Sequence, residues 1–339
     1  MRPFLGRFRN PLADLGRLMN ALERFGVNTS MREAIANIYK ERFFCVRDGG
    51  ELSEPRPQNA GISQGCPLSP FLFGILMTVL MTDAQSMLSP EAKRAIENDS
   101  LEDILFADDT LLISTSAKHL EEYMAAVAHC GSQYGLQIHW GKVVYVPVCS
   151  EQRVQGPTGQ MIEAKASMLY LGATIHGDGR FGSEISRKIG AAKEAFRSLH
   201  TLWKHAGVGK QRKVQLFEAL ILSKLRYATA SAWLLKAELR RLDGFQASCL
   251  RQILKVPSPY ISRVSNKKIL ELSNAQKLSC TIQDQQQQLF EKVLSSPAKK
   301  QQRQATFIKD TAVPLTRRYV QRVGRPRQNW ADECAKRRR

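Results

Sequence analysis

Residues 104–114 read Ile-Leu-Phe-Ala-Asp-Asp-Thr-Leu-Leu-Ile-Ser, with two adjacent acids, Asp108 and Asp109, inside an apolar, strand-like run. Apolar residues on both sides predict two buried strands, and the acid pair fits a tight hairpin connection between them. Two carboxylates about 4 Å apart repel by roughly 4 kcal/mol at an effective dielectric of about 20, and a divalent cation between them would offset that repulsion. The pair therefore suggests a metal site at the edge of a sheet.

A solvated turn is the competing interpretation of the acid pair, because Asp is a favoured turn residue. The choice depends on a second segment upstream. Residues 61–70 read Gly-Ile-Ser-Gln-Gly-Cys-Pro-Leu-Ser-Pro, and an apolar run follows them at 71–81. This pattern predicts a loop that enters a helix, with Ser69 as the N-cap, Pro70 at the first helical position and Gly65 permitting close backbone approach.

The two segments, in this order and at this separation, resemble the palm domain of reverse transcriptases, specifically those of non-LTR (LINE-type) retrotransposons. In that family a Ser-Gln-Gly-x-Pro-Leu-Ser-Pro loop precedes a helix and then a Phe/Tyr-Ala-Asp-Asp hairpin. Further matches are Gly-Leu-Gln-Ile-His-Trp-Gly-Lys at 135–142, Leu-Tyr-Leu-Gly at 169–172 and Gly-Arg-Pro-Arg-Gln-Asn-Trp at 324–330. The resemblance covers most of the chain.

The resemblance implies an RNA-directed DNA polymerase that holds Mg²⁺ at the hairpin. Asp108 would be the principal metal ligand and Asp109 its weaker companion, while Phe106 and Ala107 would line the turn. Mg²⁺ prefers oxygen ligands and is usually held by one or two carboxylates together with substrate phosphates and waters. A small group of acids on a rigid sheet edge therefore suffices for such a site.

The resemblance also assigns roles around the hairpin. Gln64 and Gly65 would face the template and the incoming nucleotide, and Leu171 and Gly172 belong to the hairpin with which the family grips the primer. Lys142 would lie near the triphosphate and could donate a proton to the leaving pyrophosphate. An ordinary solvated lysine at a strand end explains Lys142 equally well.

A third metal-binding acid is expected by resemblance on an earlier strand, which usually reads Ala-Phe-Asp-Ser-Val and precedes a helix ending in Phe-Gly. That helix is recognisable at 15–25, and counting back from it places the expected Asp at Pro11. The nearby Asp14 is better explained as a residue at the start of the helix, where an acid favours the helix dipole. We therefore expect a chain that is truncated within the palm and does not polymerise by itself.

Composition points to a polyanionic partner. The 339 residues carry a formal net charge of +19, and 43% of them are hydrophobic, enough for a substantial core. The apolar run at 71–81 is too short to span a bilayer and no signal peptide stands out, so the sequence predicts an unsecreted, intracellular protein without a membrane partner. The resemblance implies a nuclear location. The seven cysteines form no Cys-x-x-Cys pair or Cys/His cluster, which predicts reduced thiols and no zinc site.

Periodicity divides the chain into three parts and predicts an α+β protein. Residues 1–181 would form a partial reverse transcriptase palm, an antiparallel sheet with packed helices. Within this part the pattern predicts a turn at 48–50, an amphipathic helix from Leu120 that stops at Gly135, and strands at 136–140 and 143–148. Residues 182–256 would form a helical, thumb-like domain whose apolar stripe faces inward, with Arg187 and Lys188 on an outward basic face that could contact phosphates. Residues 257–339 would form a basic, partly flexible extension, in which Arg325, Arg327 and Trp330 could bind single strands.

Two functions follow from these observations. The first is the reverse transcriptase domain of a retrotransposon, incomplete and catalytically impaired, with an RNA template, an RNA/DNA hybrid or DNA as partners and deoxynucleotides as substrates if it is active. The second is a noncatalytic nucleic-acid-binding remnant. An intron maturase shares the palm motifs, but the segment at 324–330 resembles retrotransposon proteins more closely. The oligomeric state is not indicated by the sequence.

Overall fold

The structure is a computed structural model that describes residues 2–9, 15–58, 61–62, 65–148, 150–205, 207–298, 301–304, 306–308, 311–315 and 330–338. The chain divides into two compact units, Met1–Gly179 and Arg180–Arg339. α-Helices are mixed with small antiparallel sheets, in agreement with the predicted α+β class. No helix in the described ranges combines the length and hydropathy needed to cross a lipid bilayer.

The first unit is built on an antiparallel sheet of five strands within the described residues. Its strands are β1 (Arg2–Arg9), β6 (Leu101–Phe106), β7 (Asp109–Ser114), β8 (Gln137–Ile138) and β9 (Val144–Tyr145). They follow the order β6-β7-β1-β8, and β9 also pairs with β1. The strand nearest the N-terminus therefore lies inside the sheet, between β7 on one side and β8 and β9 on the other.

The first unit also contains five helices within the described residues. The helices of the first unit are α1 (Leu15–Phe25), α2 (Thr29–Tyr39), α3 (Ser69–Ser86), α4 (Pro90–Glu97) and α5 (Ala117–Gln133). The helix predicted after residue 120 is confirmed, because Leu120, Tyr123, Met124 and Val127 recur at helical spacing and are buried in the main core. Gly135, with φ +76°, follows the end of α5.

Short hairpins complete the first unit. They comprise β2 (Phe43–Phe44) with β5 (Arg56–Pro57), β3 (Arg47–Asp48) with β4 (Glu51–Leu52), and β10 (Ser167–Tyr170) with β11 (Ala173–His176). The predicted turn near residues 48–50 is confirmed, since Gly49 and Gly50 join β3 to β4 with positive φ. The β10–β11 hairpin packs on the sheet through Met168, which shares a small core with Leu111 and Val146.

The second unit is helical where it is described. Its helices are α6 (Gly182–Ser198), α7 (His200–Lys204), α8 (Lys210–Phe217), a π-helical turn (Glu218–Leu222), α9 (Ser223–Arg226), α10 (Lys236–Leu254), α11 (Pro259–Ser262), α12 (Asn266–Ser273), α13 (Leu278–Leu294), α14 (Gln301–Gln304) and α15 (Trp330–Arg338). The predicted inward stripe of α6 is confirmed at Ile185, Ala192 and Phe196, which are buried in the bundle core.

Residues beyond 256 also join this core. Ile269 of α12 and Ile282 of α13 are buried with the residues of α6, α8 and α10. A second cluster brings Phe290 of α13 together with Phe307, Ala331 and Cys334. The described part of the C-terminal region is thus packed helix, and its assignment as a separate extension stays a prediction.

Candidate active site

The two adjacent acids lie at a hairpin turn, as predicted. β6 and β7 pair in a register that opposes Phe106 to Asp109, so the turn consists of Ala107 and Asp108. Ala107 adopts φ +51°, a left-handed conformation that side chains other than glycine rarely take. Asp108 is exposed, whereas Asp109 is the first residue of β7 and is partly buried. The pair therefore presents one acid from the turn and one from the strand beside it.

The two strands of this hairpin differ in burial, which corrects the expectation of two buried strands. β7 lies inside the sheet and is largely buried, while β6 forms an edge and exposes Ile104 and Phe106. Phe106 retains 60% of its accessible surface. An edge strand has a neighbour on one side alone, so its apolar side chains gain less burial than the sequence pattern indicated.

The strand next to Asp109 carries no acid. β1 reads Arg-Pro-Phe-Leu-Gly-Arg-Phe-Arg, and its register pairs Arg7 with Asp109. Pro11, where the resemblance places a third metal-binding Asp, and the nearby Asp14 lie outside the described residues. Among the residues that the structure describes, no group of three or more His, Cys, Asp or Glu side chains could hold a metal ion.

The donor set at the hairpin is therefore two neighbouring carboxylates. Two carboxylates fit one Mg²⁺ that is shared with substrate phosphates and waters. A two-ion centre needs ligands that clamp both ions on either side of the reacting phosphate. Within the described residues, the hairpin provides two carboxylates for such a centre, and the neighbouring strand β1 provides none.

A tyrosine borders the acid pair. Tyr170 ends β10, and burial raises the pKa of its hydroxyl above the ordinary value, with the negative charge of Asp109 adding to the shift. The next two residues, Leu171 and Gly172, form the turn to β11 with φ of +47° and +77°. Leu171 and Gly172 therefore form a tight turn of a hairpin that packs on the same sheet as the acids, and their role in gripping a primer stays a prediction.

The glycine-containing loop precedes α3. Gln64 lies outside the described residues, while Gly65 is exposed and has φ +88°. Ser69 is the first residue of α3 rather than its N-cap, which is Leu68, so that detail of the prediction was wrong. Instead of capping the helix, the Ser69 hydroxyl lies 3.3 Å from the hydroxyl of Tyr39.

Two residues that the sequence did not single out brace this loop. The guanidinium of Arg42 donates a hydrogen bond of 2.9 Å to the carbonyl of Gly61 and lies 4.0 Å from the centre of the Tyr39 ring. Tyr39 is buried at the end of α2. No local motif marks this pair, because its contacts join segments that are about 20 to 30 residues apart.

Lys142 lies on the other side of β1. It ends a 3₁₀ turn (Trp140–Lys142) that joins β8 to β9, and its side chain is exposed. The sequence predicted two longer strands over 136–140 and 143–148, whereas the structure contains short strands separated by this turn. Both short strands pair with β1, whose opposite edge pairs with β7, so β1 separates Lys142 from the strand of Asp109.

The predicted basic face of the second unit needs one correction. Lys188 is only 5% exposed, and its ammonium group donates a hydrogen bond of 2.6 Å to the carbonyl of Tyr227 and lies 3.7 Å from the Glu184 carboxylate. Arg187 is partly exposed and holds the same carboxylate through two hydrogen bonds of 2.8 and 2.6 Å. The Lys188 ammonium group therefore makes its contacts inside the bundle, and its burial excludes it from contact with phosphates.

The predicted residues of the C-terminal segment fall into two groups. Arg325 and Arg327 lie outside the described residues. Trp330 is partly buried and meets the ring of Phe290 edge to face, with centroids 6.2 Å apart. The Trp330 ring, which the sequence predicted as a stacking surface for bases, is therefore already packed against Phe290.

Comparison with known proteins agrees with this arrangement. Residues 14–175 match the family described as reverse transcriptase (RNA-dependent DNA polymerase). A Pol polyprotein from the type-1 retrotransposable element R2 of Popillia japonica is 24% identical over 241 residues, which cover 70% of this chain and 34% of the relative. The corresponding polyprotein of the type-2 element R2DM of Drosophila melanogaster is 24% identical over 157 residues, or 46% of this chain and 14% of the relative.

The chain thus spans about a third of the first relative's length and about a seventh of the second's. The family match includes the whole acid hairpin, the braced loop before α3 and most of the β10–β11 hairpin. The acid pair at a hairpin, the loop and the comparisons together lead to one assignment: residues 14–175 match the reverse transcriptase family, and the chain is similar to Pol polyproteins of R2 retrotransposable elements.

Proposed function

We propose that the chain is a catalytically impaired reverse transcriptase domain that retains nucleic-acid binding. The impairment is inferred from one observation. β1, the strand paired with Asp109, contains no Asp or Glu, and its Arg7 is in register with Asp109. Enzymes of this family depend on divalent metal ions and bind nucleic-acid templates. Phosphoryl transfer relies on positioning and on charge stabilisation, so an incomplete set of acids should remove most of the activity.

In this proposal Asp108 and Asp109 hold one Mg²⁺, which would stabilise negative charge on a bound phosphate. Phe106 and Ala107 shape the turn that carries them. Gln64 and Gly65 would contact the template and the incoming deoxynucleotide, and Leu171 and Gly172 would position the primer. Lys142 is the weakest member of this set, because β1 stands between it and the acids.

The partners are RNA, an RNA/DNA hybrid or DNA, and the charge of the chain supports them. A formal net charge of +19 favours a polyanion. Residues 1–181 would act as the partial palm, residues 182–256 as the thumb and residues 257–339 as a basic extension. A nuclear location belongs to the same proposal.

Primer extension tests the impairment. The intact chain is incubated with a primed RNA template, deoxynucleotides and either Mg²⁺ or Mn²⁺, beside the variant Asp108→Ala. We expect no extension above the level of that variant. Clear extension by the unaltered chain that disappears in Asp108→Ala would show that the site is active and that the impairment is wrong.

The noncatalytic remnant is the second candidate, and the same lack of an acid on β1 favours it. Both candidates predict binding to RNA or to a hybrid that weakens steeply as salt rises, because bound cations are released from the phosphates. Binding that is absent, or that does not depend on salt, would contradict both. Primer extension and nucleic-acid binding are therefore measured on the same preparation. Together the two assays show whether the protein is an enzyme, a binding module without activity, or neither of these.

A further inference from the structure

The connection between α10 and α12 presents an exposed aromatic side chain. Residues 257–265, here called the Tyr260 loop, contain the short helix α11 (Pro259–Ser262). Tyr260 is 83% exposed and Ile261 is 72% exposed, the highest values for large apolar side chains in the described part of the chain. Exposing a tyrosine ring this fully costs hydrophobic free energy that burial elsewhere would recover. Such a residue calls for an explanation in terms of a partner.

Hydrogen bonds from Arg251 and Ser262 hold the Tyr260 loop in place. Arg251 of α10 is buried, and its guanidinium donates hydrogen bonds to the carbonyls of Pro257 (3.2 Å) and Val264 (2.5 Å) and to Asn266 Oδ1 (3.1 Å). The Ser262 hydroxyl adds hydrogen bonds within the loop. A ring on a braced loop loses little conformational freedom when it binds a ligand, because its backbone is already ordered.

The surroundings of the ring are positively charged. Residues 251–268 include five Lys or Arg residues and no Asp or Glu. Arg251 is used inside the loop, and the other four, Lys255, Arg263, Lys267 and Lys268, are exposed. The Arg263 guanidinium lies 5.9 Å from the centre of the Tyr260 ring. Lys268 is partly compensated by Glu271, 3.2 Å away.

An exposed aromatic ring beside a guanidinium and several ammonium groups matches the chemistry of single-stranded nucleic acid. Unpaired bases stack on aromatic and guanidinium planes, and cations near them meet the phosphates. A duplex offers the phosphates while its bases are already stacked. We propose that the Tyr260 loop binds single-stranded RNA or DNA by stacking a base on Tyr260, with Arg263 and Lys255 contacting the backbone. This inference rests on the nucleic-acid binding proposed above and locates one part of it.

Binding by the intact chain tests this proposal. Fluorescence anisotropy is measured with three probes: a 15-nucleotide oligo(dT), a 15-base-pair DNA duplex and labelled heparin, a polyanion without bases. For Tyr260→Ala we expect about ten-fold weaker binding of oligo(dT), with less than about two-fold change for the duplex and for heparin. Tyr260→Phe should keep the affinity. Leu272→Ala, an exposed apolar residue of α12, is the matched control and should change nothing.

A second measurement locates the contact directly. Oligo(dT) carrying one 5-iodouracil is cross-linked to the intact chain by ultraviolet light, and the modified peptide is identified by mass spectrometry. We expect the cross-link at Tyr260. The proposal is overturned if oligo(dT) binds and Tyr260→Ala leaves its affinity unchanged, or if the variant weakens heparin binding equally. If none of the three probes binds the unaltered chain, the proposed nucleic-acid binding fails together with this inference.

Discussion

Arg7 of β1 and Asp109 of β7 are direct partners in the antiparallel register of the main sheet. The strand that borders the acid hairpin thus contributes a cationic residue at this position. Because a nearby positive charge opposes the binding of a divalent cation, we expect Arg7 to weaken metal binding at the hairpin.

Replacing Arg7 by Asp should strengthen metal binding. The change removes a positive charge and adds a carboxylate on the strand paired with Asp109, so we expect about ten-fold tighter Mn²⁺ binding, measured by electron paramagnetic resonance titration. Arg9→Asp makes the same charge change about 7 Å further along β1 and should give a smaller gain. A gain that survives Asp108→Asn, or one equally large in Arg9→Asp, would show that the hairpin does not hold the ion.

The turn of the acid hairpin stores a small amount of backbone strain. Ala107 has φ +51°, a conformation that glycine adopts without a steric penalty. We expect Ala107→Gly to raise the free energy of unfolding by about 0.5–1 kcal/mol in urea titrations. The same substitution at Ala191, exposed in α6, should lower it by about 1 kcal/mol, because glycine disfavours a helix interior. Equal effects at the two sites would show that the turn is unstrained.

The buried carboxylate of Glu184 should be important for the stability of the second unit. It accepts two hydrogen bonds from Arg187 and lies 3.7 Å from the buried ammonium group of Lys188. Glu184→Gln removes the charge that compensates Lys188, and we expect a loss of about 3 kcal/mol in the free energy of unfolding. Glu194→Gln, on the exposed side of the same helix, should change it by less than about 0.5 kcal/mol. Similar losses in both variants would contradict the buried pairing.

Lys188 also sets a pH dependence. Burial lowers the pKa of its ammonium group below the ordinary value of 10.5, so the native state releases this proton at a lower pH than the unfolded state does. Stability rises with pH wherever the unfolded state binds more protons. Compared with Lys188→Met, the protein should therefore gain stability between the lowered pKa and about pH 10.5, and the difference should be constant at lower pH. Denaturation at a series of pH values checks this, and a loss over that window would refute it.

The parts of the fold that the sequence predicted well are those specified by neighbouring residues. The acid hairpin, α1, α5 and the inward stripe of α6 each show a local period or a turn signal, and the structure contains all four. The burial of β6 was overestimated because an edge position depends on strand order, which local alternation does not reveal.

The parts that were missed depend on distant contacts. Lys188 lies off the apolar stripe, and its burial follows from the carbonyl of Tyr227, 39 residues later in the chain. The ring of Trp330 is engaged by Phe290 from a different helix. In each case the partner is absent from the window in which a periodicity is read.

The position of β1 has a consequence for synthesis on the ribosome. This strand leaves the exit tunnel well before its partners in β7 and β9, which follow more than a hundred residues later. Until they emerge, β1 is an unpaired segment that carries both apolar residues and arginines. Long-range pairings of this kind form slowly and expose such segments to aggregation. The first unit can therefore complete its sheet only after residue 145 has been translated, and a nascent chain arrested earlier would depend on chaperones.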